Sequence, residues 1–354
     1  MKPDALAAEL IEASVSGYAA AAANDLLKQH PAIESRYGAG ALASWRAHFV
    51  QRLLELAAAI RVDAPAVFAA RAVWQHKSFI ARELHAEDLR EALTSLRSTL
   101  LRELPDEPGQ LVAGYVDHAL AVLDAGVTLD PSELDPADPL GALALRYVAA
   151  CLDGDPQRAI AMVLEAAAAG QSLEVIYARV IFPVLREVGR MWHGAEASIA
   201  EERVITETTR RLMTLLTHEH AKAADVGKTV IAAAVAGNAH DIGVRAVADF
   251  FEIAGWRALS LGSDVPPAEI AGAVQFFNAD LVVLSTTLAT QIKSLQASIT
   301  AIRSASGDSV KILVGGPALA ETPGLWQRLG ADGFAAASDA VSAGNDLVGV
   351  ERSG

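Results

Sequence analysis

The sequence holds one cysteine in 354 residues. That excludes an internal disulfide framework and a cysteine-rich metal centre. Aromatics are scarce at 5 %, while alanine is abundant and hydrophobic residues reach 52 %. Closely packed helices and a sizeable core are expected, and an all-β fold is disfavoured. Positive charge is in deficit: the formal net charge is -14 and the isoelectric point is about 5.1. Such a surface repels phosphate backbones, so direct binding of nucleic acid is not expected. Uncharged apolar runs of the ~18 residues that a membrane span needs are missing. The N-terminus carries Asp4, Glu9 and Glu12 in place of a basic stretch leading into an apolar one, so no secretory leader is expected. These absences predict a cytoplasmic protein, and the length predicts two or three domains.

What is present changes period along the chain. Residues 1–125 read as helices throughout, with a 3.6-residue apolar repeat from Ala5 onward. Pro65 opens one of these helices, with Asp63 as its expected cap. The stretch Gly126–Pro139, rich in Asp and Pro, reads as a linker. Residues 140–224 are again helical and fit a four-helix bundle; Asp155-Pro156 carries the signature of a helix start. From 225 to 354 short apolar runs alternate with helical stretches. Strands are expected at Thr229–Val235, Ala258–Leu261, Leu281–Ser285, Lys311–Val314 and, more weakly marked, Gly333–Ala336. Strands spaced by helices predict a doubly wound parallel sheet. The fold class is therefore multidomain α and α/β.

A ligand on such a sheet sits at the carboxyl ends of its strands. Three loops lie there: Ala236-Gly-Asn-Ala-His-Asp-Ile-Gly243 after the first strand, Ser285-Thr-Thr-Leu288 after the third, and Gly315-Gly316-Pro317 after the fourth. The first lacks the spacing of a phosphate loop. It instead presents an imidazole between two glycines. A lone loop histidine usually has no role; the two further glycine or hydroxyl loops at matching strand ends weigh against that here.

These loops resemble the cobalamin-binding domain of methionine synthase, corrinoid methyl carriers and cobalamin mutases. The family pattern is Asp-x-His-x-x-Gly, then Ser-x-Leu, then Gly-Gly. Here it reads Asn238-Ala-His240-Asp241-Ile242-Gly243, Ser285-Thr-Thr287, and Gly315-Gly316. The resemblance implies that His240 is the lower axial cobalt ligand, and that Ser285, Gly315 and Gly316 line the slot for the cofactor's nucleotide tail. Two positions depart from the pattern. Asn238 replaces an aspartate, so it can orient the ring without adding charge, and Thr287 replaces the leucine.

The helical segment before the sheet resembles the cap over the upper corrin face, through Gly154-Asp155, Pro183, Glu187-Val-Gly189, Trp192 and Glu201-Glu202. The pair Trp192 and Glu202 resembles the Trp-x9-Glu-His of the cobalamin photoreceptors, in which the Trp and the Glu make room for and hold a 5′-deoxyadenosyl group. Here Glu202 follows Trp192 by ten positions and is followed by Arg203. Taken singly, Trp192 reads as core and Glu202 as a solvated residue; the shared spacing favours the upper-face role. Arg203 stands where that family has a histidine that takes cobalt after illumination. A guanidinium is a poor metal ligand, so His193 or water would have to serve instead.

Taken whole, the chain resembles the photocobilins, cobalamin photoreceptors with an N-terminal bilin-binding domain. That likeness implies an all-helical, globin-like domain whose biliverdin contacts fall among Trp45, His48, Arg71, Trp74, His76 and Arg82. Taken singly, these read as core tryptophans and solvated cations. Cys151 lies in the cap segment, so no thioether link to a bilin is expected. The expected function is a light-sensing regulator, not an enzyme, that holds adenosylcobalamin and biliverdin. It would signal through a light-dependent homo-oligomer or a separate effector, because no output domain follows the sheet. The rivals are a corrinoid methyl carrier and a light-insensitive cobalamin binder; a radical mutase lacks its barrel here.

Overall fold

The computed structural model describes residues 3–81, 84–127, 132–193, 196–320 and 322–350. Backbone contacts divide the chain into two units, residues 1–129 and 130–354. The first is helical: α1 (Pro3–Ala13), α2 (Val15–Gln29), α3 (Pro31–Tyr37), α4 (Ala41–Arg61), α5 (Pro65–Ala81), α6 (Ala86–Glu103) and α7 (Asp106–Asp124). Proline punctuates it as its missing N–H dictates, at the first turn of α3 and at the start of α5. The core interleaves large residues (Phe49, Leu53, Leu56, Phe68, Leu89) with alanines 19, 22 and 23 of α2, all fully buried. Small residues let α2 and α4 approach closely. The helix α5 opens at Pro65, and the Asp63 carboxylate before it accepts a hydrogen bond from the Tyr115 hydroxyl at 3.3 Å.

The second unit starts with helices α8 (Pro139–Leu152), α9 (Pro156–Ala168), α10 (Leu173–Ile176), α11 (Phe182–His193) and α12 (Ile199–Glu219). Asp138 and Asp155 cap α8 and α9 by accepting the N–H groups of Gly141 and Arg158. A wide π turn, Tyr177–Ile181, joins α10 to α11 just before Pro183, where the helical ladder already lacks a donor. These helices share a core that includes Tyr147, Tyr177, Val184, Leu212 and Met213 and runs on into Ile242, Ala246 and Phe250.

The last three residues belong to the sheet domain. There β1 (Thr229–Val235), α13 (Ile242–Ile253), β2 (Arg257–Val265), α14 (Pro267–Phe277), β3 (Leu281–Ser285), α15 (Ile292–Ser306), β4 (Lys311–Gly315), α16 (Pro317–Ala320), α17 (Leu325–Arg328), β5 (Gly333–Phe334) and α18 (Ala340–Val348) follow in turn. All strand pairs are parallel, in the order β2-β1-β3-β4-β5. The connection reverses between β1 and β3, which opens a crevice at their carboxyl ends. Register sets Ala234, Ser285 and Gly315 side by side there. Two strands depart from the sequence reading, and one of them, β5, stops at Phe334, short of the expected Ala336. β2 extends to Val265, beyond the expected Leu261, through Gly262-Ser263-Asp264. An edge strand accepts exposed polar residues, so no apolar run marks its second half.

Candidate functional site

The site forms where the loops after β1, β3 and β4 meet. Asn238 is fully buried among them. Its Nδ2 donates to the Ser285 carbonyl at 3.1 Å, which fixes the orientation of the amide. Its Oδ1 then faces His240, accepting the backbone N–H at 3.1 Å and lying 3.3 Å from ring Nδ1. An amide oxygen can only accept, so Nδ1 carries the ring proton and Nε2 keeps its lone pair. His240 as a whole residue keeps contact with solvent, while the protein around the ring still shields it in part from water. Burial pulls the His240 pKa below the ordinary histidine value, although the carboxylates of Glu202 and Asp241 pull the other way. The ring is thus neutral at neutral pH, the form in which imidazole binds a metal.

The loops after β3 and β4 meet tightly. Gly316 adopts φ +108°, and a Cβ there would collide with the Thr286 carbonyl. The Thr286 N–H donates to the Gly315 carbonyl at 3.0 Å, while its buried hydroxyl has no partner among the described residues. Space around Gly243 and Gly237 is open. The backbone N–H of Thr287 donates to Gln291. Ile242 turns into the shared core, and Asp241 accepts from the Arg210 guanidinium of α12 at 2.7 and 3.2 Å.

On the helical side, Ser198 and Glu201 form a capping box that opens α12. Glu202 follows in the first turn, half-buried, accepting from the Thr206 hydroxyl at 2.8 Å. Its charge favours the protonated His240 ring, and the Arg210–Asp241 contact joins α12 to the histidine loop. Arg203 is exposed, with Nε 3.7 Å from Glu202. Trp192 is half-exposed near the end of α11. The side chain of His193 lies outside the described residues. Gln291 and Arg210 escape the sequence reading. The Gln three places after Leu288, at a helix start, is the one signal that pointed to the former.

In the first unit the structure brings Trp45 and His48 together, with ring centroids 5.2 Å apart and Phe79 packed against both. His48 is held neutral, its pKa pulled to about 3 by burial and by Arg52. Trp45, His48, Arg52 and Glu55 recur at helical spacing on α4. Among the described residues Trp45 Nε1, His48 Nε2, Arg52 Nε and Glu55 Oε2 are buried without hydrogen-bond partners. Arg52 does pair with Glu55 at 2.8 Å and with Gln75 at 3.0 Å. Arg71 also acts electrostatically on this pair. Trp74 is exposed, His76 feels Arg90 and Glu87 of α6, and Arg82 lies outside the described residues.

Comparison with known proteins gives two matching family models, each described as a B12 binding domain, over residues 143–217 and 228–343. A corrinoid protein of Desulfitobacterium hafniense is 30 % identical over 46 % of this chain and 77 % of its own length. The HTH-type transcriptional repressor CarH of Myxococcus xanthus is 27 % identical over 45 % of this chain, and the match spans about half of the repressor, 53 %. The monomethylamine corrinoid protein of Methanosarcina barkeri shares the fold at 23 % identity and a TM-score of 0.50, over 58 % of this chain and 96 % of its own.

Proposed function

This chain belongs to the family of B12-binding corrinoid proteins, and from that premise we propose that it is a light-responsive regulator holding adenosylcobalamin, with no catalytic turnover of its own. The observation that carries cobalamin binding is the Asn238–His240 geometry, which engages Nδ1 and leaves the Nε2 lone pair available at the sheet's switch point. His240 would be the lower axial ligand, and Ser285, Thr286, Thr287, Gly315 and Gly316 would line the tail slot, where the unpaired Thr286 hydroxyl awaits a polar partner. When bound, the cofactor supplies a cobalt–carbon bond that light can cleave. The protein's part is to hold the adenosyl side. The Trp192 ring offers a flat apolar wall, and the half-buried Glu202 offers a carboxylate to ribose hydroxyls.

Biliverdin in the helical unit would extend the absorbed wavelengths. Buried unpaired polar atoms on α4, beside the aromatic cluster, suit a ligand that brings its own donors and carboxylates. No described helix is long and apolar enough to cross a membrane, and a cytoplasmic location is part of the proposal. Output would run through a change of homo-oligomeric state or a separate effector, not through DNA.

The kinship with corrinoid proteins supports a second reading, a methyl carrier. Arg203, which cannot take over as a cobalt ligand, is compatible with it. Affinity separates the two. The sensor reading expects adenosylcobalamin to bind more tightly than methylcobalamin, and Glu202→Gln or Trp192→Ala to erase the difference. Equal or reversed preference in the unaltered protein selects the methyl carrier. A red absorption band that survives desalting after biliverdin addition tests the second ligand; a band lost on desalting removes it.

A further inference from the structure

We infer that Gln291 is a positioning residue for the axial histidine, because its carboxamide straps the His240 loop to the loop after β3. Gln291 is 4 % exposed and fully engaged. Its Oε1 accepts the N–H groups of Thr287 at 3.0 Å and Leu288 at 2.9 Å, and its Nε2 donates to the Gly237 carbonyl at 3.0 Å. Asn238 makes the mirror-image bond, from the histidine loop to the Ser285 carbonyl. Each loop thus lends an amide to the other's main chain, and residues 237 and 238 are held from both sides.

That double strap fixes the backbone two and three residues before His240. The imidazole hangs from the Asn238 oxygen, so its position follows wherever that backbone is held. Position 291 needs a neutral group that accepts two hydrogen bonds and donates one. A carboxylate satisfies the two N–H donors but sets negative charge against the Gly237 oxygen. A leucine takes the partner from two partly buried N–H groups and one carbonyl. A protonated glutamic acid restores all three bonds.

The inference rests on cobalamin binding and is independent of light sensing. It is tested by loading the full-length protein with cob(II)alamin and recording its electron spin resonance. Coupling of cobalt to a protein nitrogen changes multiplicity when histidine is isotopically labelled. The unaltered protein is expected to show the histidine coupling at pH 8. Gln291→Leu and Gln291→Glu are expected to lose most of it at that pH and to hold cobalamin about tenfold more weakly. At pH 5.5 the Glu variant should regain the coupling relative to the unaltered protein measured at the same pH, while the Leu variant should not. A residue serving fold stability alone would not give that selective recovery. Full coupling and affinity in both variants at pH 8, or equal behaviour of the two at pH 5.5, would overturn the inference. Absence of histidine coupling in the unaltered protein would instead overturn the assignment of His240.

Discussion

Asn238 has two tasks at once: one end of its amide is anchored on Ser285 and the other sets the tautomer of His240. Truncation to alanine frees the ring and leaves a buried carbonyl unpaired. Asn238→Ala should therefore lower cobalamin affinity by about ten- to a hundredfold, read by equilibrium titration of absorbance; unchanged affinity would show that the ring needs no support. His48 makes a second residue-scale prediction. Its pKa is about 3 in the folded protein, against roughly 6.5 when unfolded. Between those values the unfolded chain binds the extra proton, so stability is complete above pH 6.5 and falls as pH drops. The slope is about 1.4 kcal/mol per pH unit. His48→Gln should abolish it, as measured by hydrogen exchange of the α4 backbone at pH 6 and pH 5. The motif residues were legible in the sequence because their signal is local. Gln291 and Arg210 were not, since each owes its role to a partner brought by the fold.

Helix α12 links the helices to the histidine loop. Its first turn carries Glu202, and two turns on Arg210 grips Asp241, next to His240. Further along, Thr214 accepts from Arg245 of α13 at 2.6 Å. Arg210→Ala should cost about 1 kcal/mol and raise hydrogen exchange in residues 237–243 while leaving the sheet protected. Exchange unchanged in that loop would mean that α12 does not hold it. A second tie is deeper: the Tyr177 hydroxyl, in the π turn, donates to the buried Asp249 of α13 at 2.6 Å. Tyr177→Phe removes the donor from a buried carboxylate and should destabilise by about 1–3 kcal/mol in urea unfolding. Neither tie was visible in the sequence, where Tyr177 and Arg210 read only as helix residues. The second half of β2 was equally hidden, because an exposed edge needs no apolar pattern.

The parallel sheet was read from the sequence almost in full, since strands buried on both faces must be apolar and the helices between them keep a 3.6-residue period. The helical unit in front gave up its helices but not its ligand chemistry. Of the four residues that share a face of α4, the sequence singled out Trp45 and His48 but not Arg52 and Glu55; only the folded chain shows polar atoms there that are unpaired among the described residues. At this scale the account makes one claim: the light chemistry of a bound cobalamin is converted into a change of assembly. The most direct test loads the full-length protein with adenosylcobalamin and compares absorbance and gel-filtration volume in the dark and after green light. The account predicts a light-driven spectral change, distinct from that of free cofactor, together with a shifted elution volume. A protein that retains the cofactor yet changes neither beyond what free adenosylcobalamin does would contradict it.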